Sequence, residues 1–464
     1  MIAFSSRTTV GPTTLSRRVA GWLAAVLLLA FVAAGTVTGV LWQFGYDLAD
    51  AARQTSPGRI AFLAREPGYD SWRPLLRAGE SVRDDPVAGC YAVFHSHRGK
   101  FQYPPLALLA YRGLPASVSA EAIRTWAGSR LQYWHGWISR FAFLATVVVS
   151  ILILRAGFRL SDASPTGFWL PALLVVPAAF TFYPLIVAHE LGQFQLLLDA
   201  WVALALLAFM RGQRALAGGF LGLCCVLKPP LALVLPWALL RRQHSLALAF
   251  TLVTLAGFSL SLLVFGWSAH LDYLAVLRTL SRHGEAFWFN QSLGGVLHRW
   301  VDPAAALTFD AIGSPLPPYR AGIHVAGLGF GLALVTLVLF RRRPVTEPTD
   351  AIFDFCALLL AATLASPVAW NHHFGVCFPI VCAVLPPVLA GPAPRRWPAL
   401  LLGVAFLAIG FELIAPEFVF ASPLRGLLGA HVFFGALGLL ALLLIWRLPV
   451  DAAPPAFASP ASSP

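Results

Sequence analysis

The sequence predicts an all-α polytopic membrane protein, and three observations carry that reading. Hydrophobic residues make up 58% of the 464-residue chain and charged ones 12%, which leaves too little polar surface to cover a water-soluble domain of this size. Mean hydropathy is +0.73. Apolar runs recur along the chain at lengths that let a helix cross a bilayer, which takes about 20 residues.

Candidate spans are 20–42, 140–157, 167–188, 193–210, 245–266, 324–340, 352–369, 373–390, 397–414 and 427–446. The stretch 215–240 is also apolar, but Lys228-Pro229-Pro230 interrupts it. Proline removes a backbone donor and clashes inside a helix, so two helices are expected to meet there at an outward apex. The expected total is about twelve spans. Residues 1–19 read as a cytoplasmic leader, 20–448 as the membrane domain, and 449–464, rich in Pro, Ala and Ser, as a disordered cytoplasmic tail.

Two long outer loops are expected, 43–139 and 267–323. In the first, Val118, Ala122, Trp126, Leu131 and Trp134 could share one face of a helix lying in the membrane interface. The run 103–110 is too short to span and is expected to be re-entrant.

Net charge is +12. Arg17/Arg18, Arg155/Arg159, Arg211/Arg214, Arg241/Arg242, Arg341–Arg343 and Arg395/Arg396 fall at alternate connections, while the short connections 189–192 and 370–372 carry no Lys or Arg. This is the positive-inside pattern, and it puts both termini in the cytoplasm. The basic residues form no single patch, so no nucleic-acid partner is expected. The first span is long for a cleaved signal and reads as an anchor. Six cysteines show no disulfide framework and no metal-ligand spacing with histidine, so no metal or cofactor is expected.

Candidate chemistry lies at the outer connections. Asp47 and Asp50 follow the first span and would share a helix face. A carboxylate there suits a general base, or simply a helix cap. Lys228 sits at the helix break, where an anion or snorkelling to water would satisfy it. Asn290-Gln291-Ser292 offers amides for capping or for sugar, and Arg299 a forked contact to phosphate. Asn371-His372-His373 joins two spans, and the tight turn around Gln193 faces the same compartment. Adjacent histidines do not share a helix face, so joint metal ligation is not expected. Asp47, Tyr103, Gln193, Lys228, Asn290, Arg299 and His372 all fall on one side by topology.

Six pieces carry a family resemblance: Asp47-Leu48, Phe101-Gln102-Tyr103-Pro104-Pro105-Leu106, Gly192-Gln193-Phe194-Gln195-Leu196-Leu197, Leu227-Lys228-Pro229, Asn290-Gln291-Ser292-Leu293, and Ser366-Pro367-Val368-Ala369-Trp370-Asn371-His372-His373. In this order, over residues about 20–445, the chain resembles the polyprenyl-phosphate-dependent glycosyltransferases of GT-C type. More closely it resembles the bacterial alpha-1,2-mannosyltransferase family that includes mycobacterial phosphatidylinositol-mannoside enzymes. The resemblance implies a polyprenyl-phosphate sugar donor, mannose first among the sugars, and a glycolipid or glycan acceptor. It implies an inverting single displacement at the outer face of the bacterial cytoplasmic membrane, without a metal. Asp47 is then the implied base, with Asp50 its rival. Lys228, Arg299, His372 and His373 are expected on the donor phosphate, and Tyr103, Gln193, Asn290, Gln291 and Asn371 around sugar and acceptor. The chain departs from the family in having Ala49-Asp50 for Val-Tyr, in Asn371 for an acid, and in an apparent insertion over about 63–86. A lipid or sugar transporter using the same cavity is the alternative from another class.

Overall fold

The computed structural model describes residues 12–84, 89–96, 100–109, 130–161, 167–307, 316–341, 348–390, 396–412, 422 and 426–445. Among them the chain is helical, with one isolated bridge between Asn290 and Trp370 in place of any strand. The tail 449–464 and positions 110–129 of the expected interfacial segment lie outside the described residues.

Helix α1 (Pro12–Gln43) begins inside the expected leader and contains the first span. The first long loop holds α2 (Leu48–Arg53), α3 (Trp72–Asp84) and α4 (Ala92–His95). The apolar run after Tyr103 forms a 3-10 turn, Pro105–Leu108, with Ala107 and Leu108 buried. Then come α5 (Arg130–Leu160), α6 (Trp169–Phe180), α7 (Tyr183–Glu190), α8 (Gln195–Met210) and α9 (Arg214–Leu227). At Lys228 the helix breaks as the prolines require. A 3-10 turn, Pro229–Leu233, leads into α10 (Val234–Leu240).

Helix α11 (His244–His283) runs well past residue 266, where the span was expected to end. Gly266, at φ +75°, takes a left-handed conformation that only glycine adopts without strain and bends the helix there. The remaining helices are α12 (Leu293–Val301), α13 (Ala321–Phe340), α14 (Pro348–Leu364), α15 (Cys377–Ala390), α16 (Trp397–Gly410) and α17 (His431–Ile445).

Six helical segments among the described residues are long and apolar enough to cross a membrane, or seven if α6 and α7, bent by 48°, form one span. The count of about twelve is not confirmed. Helices α8, α9 and α16 are apolar but have 16, 14 and 14 residues, so each is roughly 20–25 Å long against a hydrocarbon core of about 30 Å.

Helices α14 and α15 form the enclosed centre, with nearly every side chain buried. Helices α11 and α13 lie outside and expose Leu252, Leu263, Val325 and Leu332, as a lipid-facing surface should. One end of the bundle is bolted by Arg241, whose Nε donates to Asp354 Oδ2 at 2.7 Å, with Trp237 Nε1 on the same oxygen at 3.0 Å.

Candidate active site

The structure divides the polar candidates into four groups. The first is built where the loop 65–71 lies against the turn after α7. Gly68 N donates to Glu190 O at 2.8 Å and Asp70 N to Leu191 O at 2.9 Å. Gly192 makes this approach possible. Its φ is +69°, and a Cβ there would fall 2.1 Å from Gly68 O. Gln193 is thereby aimed at the loop, and its Nε2 donates to Asp70 Oδ2. Ser71 Oγ donates to Gln193 Oε1 at 2.5 Å, which leaves the Tyr103 hydroxyl to donate to Ser71 at 2.8 Å. Trp72 closes one wall, its ring 3.8 Å from His135 and 4.3 Å from Phe194.

Burial around Asp70 raises its pKa to about 6, against the opposing pull of Lys100 and of the Gln193 hydrogen bond. Lys100 itself is paired with Glu285 at 2.6 Å, across to the second long loop. Burial also raises the Tyr103 phenol, so it stays a neutral donor.

The second group surrounds the break after α9. Lys228 Nζ donates to Gln195 Oε1 at 3.0 Å, and Gln195 Nε2 donates to Asp199 Oδ1 at 2.7 Å. Asp199 is fully buried and its Oδ2 has no hydrogen-bond partner among the described residues. The turn Asn371–Val376 packs against α8 here. Gly375 lets it do so, because a Cβ would fall 2.0 Å from Asp199 Oδ2. His372 and His373 lie within electrostatic reach of Lys228. Asn371 is fully buried with both amide atoms unpartnered among the described residues, and His372 Nδ1 is unpartnered among them too. His373 Nδ1 accepts from Trp370 N at 3.3 Å.

In the third group, Asn290, Gln291 and Arg299 join two distant chain segments. Gln291 N donates to Ala369 O at 2.6 Å and Asn371 N to Phe289 O at 2.8 Å. Asn290 Oδ1 accepts from Ala369 N and Ser292 N, and its Nδ2 donates to Glu285 O. Gln291 Nε2 donates to Trp288 O and Gly429 O, and its Oε1 accepts from Phe433 N. Arg299 Nη1 donates to Asn290 O at 2.6 Å. These side chains are engaged with backbone and hold the turn that presents Asn371 and His372.

The fourth group is Asp47 and Asp50. Asp47 caps α2, accepting from Ala49 N at 2.9 Å and Asp50 N at 3.3 Å, and is exposed. Asp50 pairs with Arg53 in water, 58% exposed.

Sequence reasoning missed Asp70, Ser71, Lys100 and Asp199, and had Gln195 only as part of the motif around Gln193, with no role of its own. Asp199 had a signal, since an ionisable residue inside an apolar run usually marks a site. Asp70 lay in the stretch taken for an insertion and had none of comparable force.

A polar cluster with unpartnered buried groups, set in a bundle of membrane-spanning helices, defines a membrane protein with an enclosed binding centre. The chain belongs to glycosyltransferase family 87, whose sequence profile matches residues 101–367, more than half of its length. It is therefore a membrane-embedded glycosyltransferase. Tyr103, Gln193, Lys228, Asn290, Gln291 and Arg299 fall inside the matched stretch. The chain is 28% identical over 399 residues to a polyprenol-phosphate-mannose-dependent alpha-(1-2)-phosphatidylinositol mannoside mannosyltransferase of Mycobacterium tuberculosis, covering 80% of this chain and 77% of that one. It is 27% identical to the protein of the same description from Mycolicibacterium smegmatis, covering 75% and 74%. A pentamannoside mannosyltransferase of Mycobacterium tuberculosis is 26% identical over 60% of each chain. No solved structure matches the chain.

Proposed function

We propose that the chain moves a mannosyl group from a polyprenyl-phosphate donor to an acceptor hydroxyl, with Asp70 as the general base. The observation that carries this is the cradle of Asp70. Its carboxylate is oriented by Gln193, its pKa stands near 6, and the chain that holds it leads through Phe194 to Gln195 and the Lys228 group. A base of that pKa is ionised at neutral pH yet close enough to it to accept a proton readily. Asp47 and Asp50, solvated and engaged in a cap and an ion pair, are assigned to local structure.

In the step, the acceptor oxygen bonds to the anomeric carbon while the bond from that carbon to the phosphate oxygen breaks. The hydroxyl proton passes to Asp70, and the electron pair leaves with polyprenyl phosphate. A single displacement inverts the anomeric centre. Lys228 and His372, with His373 beside them, hold the phosphate as its charge grows. Asn371 offers an amide to the sugar. Arg299, Asn290 and Gln291 keep that turn in place. A cavity of 710 Å³, lined by Gln193, Phe194, Leu227, Trp201, Val253 and Leu260, opens beside Gln193 and suits the isoprenoid chain of the donor. The positive-inside pattern supports an active site on the outer face of a bacterial cytoplasmic membrane, with both termini inside.

The test is transfer of radiolabelled mannose from polyprenyl-phosphomannose by membranes bearing wild type, Asp70→Asn, Asp47→Asn or Asp50→Asn. Loss confined to Asp70→Asn supports the assignment. Wild-type activity in Asp70→Asn with loss in Asp47→Asn returns the role to Asp47.

A further inference from the structure

The segment between α1 and Asp70 forms a fixed arm over the turn that follows α7. Phe62 at its centre is fully buried, with ring centroids 5.1 Å from Phe143, 6.0 Å from Phe180 and 5.4 Å from His189. Arg59 reaches Glu190 at 3.0 Å and Glu412 at 3.3 Å. Ser56 N donates to Glu412 O, and Glu412 N donates to Ser56 Oγ at 2.8 Å. Aromatic burial and a half-buried ion network hold the arm at both edges.

A polar cavity of 370 Å³ lies between this arm and α7, lined by Arg53, Gln54, Arg59, Arg65, Glu66 and Glu190. That is the small end of the range for ligand pockets, about 300–1,000 Å³. The chemistry proposed for Asp70 uses none of these side chains. The cavity nonetheless adjoins that centre. Glu190 and Leu191 supply the carbonyls that pair with Gly68 N and Asp70 N. Arg65 precedes Asp70 by five residues, which reach at most about 17 Å.

We propose that this cavity is an acceptor subsite, which binds sugar units of the acceptor glycan remote from the reacting hydroxyl. It rests on the reading of Asp70 as the base. The lining supports a polyhydroxylated ligand. Three guanidiniums and two carboxylates line it, each also held in an ion pair (Arg53 with Asp50, Arg59 and Arg65 with Glu190, Glu66 with Arg140), so positioned donors and acceptors share one wall, which is what neighbouring sugar hydroxyls need. Among the described residues its lining holds no aliphatic or aromatic side chain, and its apolar surface is that of the stems of these polar groups. Arg59 and Glu190 are locked together at 3.0 Å, whereas Gln54 is half-buried and Arg65, half-exposed, meets Glu190 only at 3.8 Å, the looser of the two ion pairs on that carboxylate. These two can therefore be altered without breaking the arm. A subsite held by a fixed arm binds with less ordering cost than a mobile loop would.

The test compares wild type with Gln54→Ala, Arg65→Ala and the double variant as purified full-length protein. KM is measured for a lipid-linked monomannoside and a lipid-linked tetramannoside, with polyprenyl-phosphomannose as donor. The expected result is a rise of about tenfold in KM for the tetramannoside, with kcat, donor KM and monomannoside KM unchanged. Direct binding of soluble mannotetraose, followed calorimetrically, is measured on the same proteins and on Asp70→Asn. Asp70→Asn is expected to bind as wild type does, and the pocket variants to bind at least tenfold more weakly. This arm needs no turnover, so it decides the subsite even if Asp70 is not the base. Absence of mannotetraose binding to wild type, or affinities and KM ratios that do not change in the double variant, would overturn the proposal.

Discussion

The turn at Asn371 is held from one side by a clamp and faces a cluster on the other. In the clamp, every polar atom of the Asn290 and Gln291 side chains meets a backbone partner. In the cluster, Asp199 Oδ2, both amide atoms of Asn371 and His372 Nδ1 are buried without a partner among the described residues. A buried polar group left unpaired costs about 1–3 kcal/mol. Of the cluster's residues, Asp199 and His372 lie within electrostatic reach of Lys228, which is the arrangement the proposed phosphate site rests on. Under the proposed function the contrast separates residues that build the site from residues that use it, although both kinds read alike as polar islands in an apolar sequence.

The largest expected effect tests the using side. Asp70→Asn should lower transfer by a factor of about 10²–10⁴ while the thermal unfolding profile stays near wild type. Retention of more than a tenth of the activity would remove Asp70 from the chemistry. Next, Lys228→Gln or His372→Ala should lower kcat/KM for the donor, because a hydrogen bond to a charged group contributes about 1.5–3 kcal/mol, or roughly 10- to 150-fold. Acceptor KM measured at saturating donor should move little.

The building side should answer differently. Asn290→Ala or Gln291→Ala leaves buried backbone groups unpaired and should cost about 1–3 kcal/mol of stability for each group so exposed. Detergent-solubilised protein would melt earlier, while activity per folded molecule at low temperature persists. If either variant instead folds normally and loses turnover, the division drawn here fails.

A smaller effect lies in pH. The raised pKa of Asp70 means that protonation removes the base as pH falls. Activity should drop to half near pH 6, whereas a solvated aspartate would sustain it to about pH 4. Lys100 pulls that pKa down, so Lys100→Met should move the acid limb to higher pH. The smallest effect belongs to Asp47→Ala, which removes a cap worth about 1 kcal/mol locally and should leave the transfer rate unchanged.

Much of this molecule was legible in one dimension. Composition required membrane helices, because 12% charged residues cannot clothe 464 residues in water. The prolines after Lys228 required a break, and the structure has it. The motifs around Gln193, Asn290 and His372 led to the family. The lengths of the shorter helices were not legible, since apolarity does not record where a helix stops. Nor was the continuation of α11 past Gly266, because glycine marks a bend as readily as an end.

Only the tertiary structure separates the aspartates, and the proposal of Asp70 over Asp47 rests on it. In the sequence Asp47 and Asp70 are carboxylates in one polar loop, and spacing favours the one nearer the first span. Their difference is desolvation, which depends on what packs around a side chain. Residues 189–193, Tyr103 and Lys100 come to Asp70 from far along the chain. Among the described residues, the Asp47 side chain hydrogen-bonds only to the backbone of the helix it caps. Local pattern fixed the class of protein because hydrophobic periodicity is a property of neighbours. The site waited on the fold because water is excluded only by residues distant in sequence.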